Sequence, residues 1–138
     1  MASSRLDRAA PAALLLLAAC ATVPDDVMQA ALGPPGDAAR GREVFVSREG
    51  GHCILCHAVP GVEVAGDVGP QLGQAGSRYS PAQLRLRIAD ISRVRPLAAM
   101  PTFHQTQGLT RVAAPYAGKP VLSGQQVEDL VAYLGTLK

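Results

Sequence analysis

The chain has 138 residues, with 13 Lys and Arg against 11 Asp and Glu and a formal net charge of +2. That length suits one domain rather than two, and so even a balance leaves no basic footprint of the kind that nucleic-acid binding requires. There is no tryptophan, and the aromatics are Phe45, Tyr79, Phe103, Tyr116 and Tyr133, a thin supply for a small domain that has to bury a core by itself.

Arg5 and Arg8 precede an apolar run from Ala9 to Ala19 centred on Leu14 to Leu17. A charged start, an apolar stretch of about ten residues and a close on small residues read as an export signal, because a membrane span needs roughly twenty. Leu17-Ala18-Ala19-Cys20 resembles a bacterial lipobox, which predicts cleavage before Cys20 and acylation of its thiol. The expected organisation is a lipoprotein-type signal over 1–19, a lipid-anchored tether over 20–36 and a folded domain over 37–138, placed in the bacterial periplasm. The tether reading rests on Pro24, Asp25, Asp26, Pro34, Pro35 and Gly36, a composition that favours extended linkers.

Asp37 is a helix cap, and the spacing predicts a helix from about Ala38 to Ser47. Between Pro60 and Gly76, two prolines and the glycines at 61, 66, 69, 73 and 76 are too many for regular structure and predict a long loop laid along something rigid. Ser80-Pro81-Ala82-Gln83 is a capping box with proline at the first helical position. It predicts a helix to about Ile91 with Leu84, Ile88 and Ile91 on its apolar face. Pro96 and Pro101 mark the following loop, and 102–120 has no convincing period. A second capping box, Ser123 with Gln126, opens a last helix in which Val127, Leu130, Val131 and Leu134 recur at helical spacing up to Leu137. No strand-like alternation is evident, so the expected class is all-α with long loops.

Between the first two predicted helices stands Cys53-Ile54-Leu55-Cys56-His57, the spacing that attaches a c-type haem. Two thiols can form thioethers with the haem vinyl groups, and the imidazole that follows them can bind the iron from below. A zinc ribbon would need a second ligand pair, and the remaining cysteine, Cys20, lies in the leader; a thioredoxin-like site would need a βαβ pattern that is absent here. One covalent haem would also supply the apolar bulk that the sparse aromatics do not, so the apo-protein is expected to fold poorly.

With His57 as one axial ligand, the candidates for the other are Met28, Met100, His52 and His104. Met28 falls in the expected tether and His52 adjoins Cys53, which leaves Met100, on the loop after the helix capped by Ser80, as the favoured ligand and His104 as its rival. Thioether ligation raises the potential relative to bis-imidazole coordination. The carbonyl of Pro70 is a candidate acceptor for the free ring N–H of His57, fixing its tautomer. Arg85, Arg87, Arg93 and Arg95 read as a solvated helix face, with steering of an acidic partner as the functional alternative.

This layout resembles the class I cytochrome c fold, which implies three to five helices around one haem; Gly41, Phe45 and Tyr133 match the pattern by which the terminal helices of that family cross. Within it, Gly66 to Pro70, Tyr79 to Ile88, Met100-Pro101 and above all Arg111 to Leu137 resemble the SoxX family, the monohaem subunits of SoxAX sulfur-oxidation cytochromes. The resemblance implies a heterodimer with a SoxA-like cytochrome subunit. That complex couples thiosulfate oxidatively to a cysteine of a sulfur-carrier protein, with the sulfur chemistry on the partner, and a soluble cytochrome c takes the electrons. On this reading the chain is an electron-transfer subunit without catalytic residues of its own. The alternatives are a stand-alone monohaem carrier serving a terminal oxidase or reductase and, more remotely, a haem-based ligand sensor with a displaceable sixth position.

Overall fold

In the computed structural model, residues 27–138 are described, and the leader and Cys20 lie outside them. Each of the three longer helices begins at the cap that the sequence supplies. Asp37 accepts the Arg40 N–H at 2.8 Å at the head of α1, Ala38–Val46. Ser80 and Gln83 exchange both bonds of a capping box ahead of α3, Pro81–Ala89, and Ser123 and Gln126 do the same ahead of α4, Gly124–Thr136. The fourth helix, α2, is a single turn over Ala75–Arg78 inside the region expected to be loop. It is held from outside its own sequence: Ala75 is fully buried, and the Gly76 N–H donates to the Leu137 carbonyl at 2.9 Å. Among the described residues there is no strand.

Helix α3 ends at Ala89, short of Ile91, because Asp90 leaves the helical region, at φ −154° and ψ 81°, and its carboxylate accepts the Ser92 N–H and hydroxyl. A short acidic side chain that bonds the backbone ahead of it competes with helix continuation, and a one-turn 3-10 segment over Ile91–Arg93 follows.

α1 crosses α4 closely. A Cβ on Gly41 would stand 1.9 Å from the Asp129 carbonyl oxygen, so only glycine permits the approach. One turn on, the Phe45 and Tyr133 rings meet at 5.7 Å between centroids and 59° between planes, a tilted pairing that adds about 0.5–1.5 kcal/mol beyond area burial. Leu84 and Ile88 of α3 complete the core with Leu122, Val127, Leu130, Val131 and Leu134.

Two ion pairs fasten the back of this assembly. Arg85, read from sequence as part of a solvated face, is buried: its guanidinium grips both oxygens of Glu128 at 2.6 and 2.9 Å and donates a third bond to the Met28 carbonyl at 2.8 Å. Arg40 reaches both oxygens of Asp129 at 3.0 Å. The Leu32 N–H donates to Glu128, and the Asp37 N–H to Asp129. Residues 28–36 therefore lie as a strap over α3 and α4 rather than as a free linker. Their Pro/Gly composition looks like a linker because the groups that satisfy their backbone come from residues more than fifty positions away, Ala82 and Arg85 for Met28 and Glu128 for Leu32. No helix among the described residues is long and apolar enough to cross a membrane.

Candidate haem site

Leaving α1, the chain turns at His52, whose backbone is left-handed at φ 52°, into one 3-10 turn over Cys53–Leu55. The Cys56 and His57 N–H groups both donate to the Cys53 carbonyl, at 3.1 and 2.9 Å, which packs the two thiols and the imidazole into one short bend. The glycine-rich loop runs back along this bend and is stitched to it. Gly66 donates to the Ile54 carbonyl, Gly69 to Cys56 and Leu72 to Ala58, each at 2.8–2.9 Å. The rigid surface along which the loop was expected to lie is the attachment segment itself.

The same loop orients His57. Its Nδ1 lies 2.7 Å from the Pro70 carbonyl oxygen. A carbonyl only accepts, so Nδ1 carries the hydrogen and the lone pair resides on Nε2, the tautomer suited to binding a metal. Gly69 makes this possible, because a Cβ there would lie 2.3 Å from the imidazole Cε1.

Beside His57 is a cleft lined by Phe45, Cys53, Leu72, Ile88, Met100, Phe103, Leu130 and Leu134. Its walls are carbon except for the Cys53 sulfur, the imidazole and the Met100 thioether. An imidazole and a thioether facing one apolar cleft, with a thiol at its edge, fit a porphyrin held by thioether bonds. Burial pushes the Cys53 thiol up to about 11, so it is a neutral S–H at physiological pH.

The sequence-derived candidates separate clearly. Cys53, His57 and Met100 line one cleft, Cys56 sits half-buried in the same bend, and Pro70 lies behind the imidazole. His104 has its Nδ1 2.8 Å from the Leu122 carbonyl and its backbone N–H donates to Ala89, and unlike His57 it is not among the residues that line the cleft. Met28 is clasped to α3 through its backbone, and His52 is exposed at the turn. Leu72 and Phe103 of the lining were not anticipated. Both are on loops, where hydrophobicity has no period to reveal its direction.

The family model for cytochrome c matches residues 38–138. The chain belongs to the cytochrome c family. This cytochrome is similar to a chain in the crystal structure of SoxXA from P. pantotrophus, with a TM-score of 0.76 and 34% identity over 85% of this chain and 93% of that one. The likeness agrees with the SoxX resemblance carried by the motifs. No curated protein sequence matches. As a member of the family, the chain carries one covalent c-type haem and acts in electron transfer.

Proposed function

We propose that this cytochrome is the monohaem subunit of a SoxAX-type complex. In this reading it accepts electrons released when thiosulfate is coupled oxidatively to a carrier-protein cysteine, and passes them to a soluble cytochrome c. The observation that supports it best is the likeness to the SoxXA chain, which extends over nearly the whole of that chain.

Cys53 and Cys56 would hold the haem through thioether bonds. His57 Nε2 and the Met100 sulfur would be the donors that hold its iron. The group so held supplies one-electron transfer. This chain's own residues fix the ligands, exclude water from the cleft and set the potential through the thioether. The Pro70 carbonyl keeps the imidazole in the right tautomer. The sulfur chemistry belongs to the partner, since the described thiols of this chain are Cys53 and Cys56 and both are taken by attachment. Cleavage at the leader and acylation of Cys20 would hold the domain at the periplasmic membrane surface, each buried methylene contributing about 0.8 kcal/mol.

The test is a pull-down of the native protein from thiosulfate-grown cells. A second cytochrome should co-purify and confer thiosulfate-dependent reduction of this haem. A lone, fully assembled cytochrome that no such fraction reduces would overturn the proposal in favour of the stand-alone carrier. Mass spectrometry of the mature protein reads haem number and acylation at Cys20 together.

A further inference from the structure

The loop from Gln107 to Val121 is exposed throughout, yet it carries Leu109, Val112, Tyr116 and Val121, with Tyr116 68% and Val121 57% exposed. It is not a loose excursion. At its base the Leu122 N–H donates to the Phe103 carbonyl at 2.9 Å, His104 bonds the Leu122 carbonyl, and Leu122 is fully buried. Within the loop, Ala114–Tyr116 forms a 3-10 turn, Lys119 N–H donates to the Tyr116 carbonyl, and Lys119 Nζ caps the Pro115 carbonyl at 3.0 Å. Gly108 and Gly118 take the left-handed backbone that its bends need. A loop closed at its base and shaped by its own turns is prebuilt, and its apolar side chains are turned away from the domain that could have buried them.

Charge identifies what fits it. From Ile91 to Val127 there is no Asp or Glu, while Arg93, Arg95, Arg111 and Lys119 are all exposed. The acidic residues of the first half, among them Glu43, Glu49, Glu63 and Asp67, lie elsewhere in the chain. An apolar centre flanked by cations is complementary to a protein face with an apolar centre and an acidic rim. A lipid surface is a poorer match, because two cations and an irregular loop containing Pro115 and Pro120 do not make the amphipathic helix that lies in an interface. The base of the loop adjoins the haem cleft, since Phe103 lines that cleft together with Met100.

We infer that the arm 107–121 is the surface by which this cytochrome grips its SoxA-type partner, and that the partner's matching face is apolar and acid-rimmed. The inference rests on the proposed function and adds to it the place of contact.

The test uses the full-length holo-protein and the SoxA-type subunit recovered with it and identified by mass spectrometry. Val112→Asp combined with Tyr116→Asp should weaken binding at least tenfold, and Lys119→Glu severalfold with a flatter salt dependence. The visible spectrum, including the sulfur-to-iron charge-transfer band, should stay native and so report an intact fold. Native affinity in both variants would overturn the inference while leaving the proposed function standing, as would weakening by Val64→Asp alone, on the exposed loop beside the attachment segment. Recovery of no SoxA-type subunit at all would instead remove the function on which the inference rests. Two further results would count against it: arm variants that retain the partner but lose sedimentation with vesicles of anionic and neutral phospholipid, or that abolish only self-association of the holo-protein.

Discussion

The two sides of α4 are held by opposite chemistry. Leu130 and Leu134 face the haem cleft and offer only carbon, whereas Glu128 and Asp129 anchor α3, α1 and the 28–36 strap through two arginines and two backbone N–H groups. The polar side is complete within the polypeptide: no buried side-chain polar atom among the described residues lacks a partner. The apolar side is walled by side chains that have a cleft between them. One helix thus belongs both to a scaffold that the protein finishes alone and to a site that a cofactor finishes.

The largest expected effect breaks the apolar side. Replacing Cys53 and Cys56 together by Ala removes both thioether bonds, and denaturing electrophoresis with haem staining should show complete loss of covalently bound haem. If the scaffold side is as self-sufficient as its hydrogen bonds suggest, residual helicity by circular dichroism should persist while the cooperative thermal transition is lost. On the polar side, Glu128→Gln strands the buried Arg85 guanidinium. Breaking a buried pair by removing one partner costs about 3–5 kcal/mol, to be read as a shift of the denaturation midpoint with the haem spectrum retained. Arg85 holds Glu128 below the usual carboxylate range, so the pair is ionised under the conditions of such a measurement.

A sharper comparison comes from Met100→Ala, which leaves attachment intact. The sulfur-to-iron charge-transfer band should vanish, and the potential should fall by on the order of 0.1 V, a fraction of the ≈ 0.8 V range that axial ligands command. Retention of both would show that another sulfur supplies the sixth position. A native protein that lacks the band altogether would instead point to His104, whose Nδ1 faces the Leu122 carbonyl and so leaves Nε2 available.

Sequence signals and structure agree where the determinant is local and part where it is distant. The caps at Asp37, Ser80 and Ser123 and the attachment bend are each specified within a few residues, so the helices and the haem motif were legible. Arg85 was misjudged because a cation at helical spacing looks solvated until its partner on another helix is known. The strap at 28–36 looked like a linker for the same reason, and α2 was hidden because one turn of helix in a glycine-rich stretch forms only against Leu137 and the core. Met100 was legible as a thioether on a loop, but the Leu72 and Phe103 walls beside it were not. Gly69 was visible merely as a loop glycine, and its contact with the His57 ring emerges only when the loop is folded back.

The smallest effect separates the two arginine anchors by pH. Asp129 has a side chain only 4% exposed, while Arg40 is 56% exposed, and hydrogen bonding from Arg40, supported by the Asp37 N–H and Gln125, holds the Asp129 carboxyl down at about 2. A carboxyl depressed on folding stabilises the native state above its unfolded value, and that contribution is lost as pH falls from about 4 toward 2, because the unfolded chain takes up the proton first. Asp129→Asn removes the charge-assisted bonds, so at neutral pH it should lower stability by about 1–3 kcal/mol. The difference between native protein and variant should then shrink steadily on acidification below pH 4, measured as paired denaturant titrations of the holo-proteins. Because both proteins carry the same haem ligands, acid effects at the cleft cancel in that difference. A gap that stayed constant down to pH 2 would mean that packing at the α1–α4 crossing, rather than the ion pair, is what Asp129 contributes.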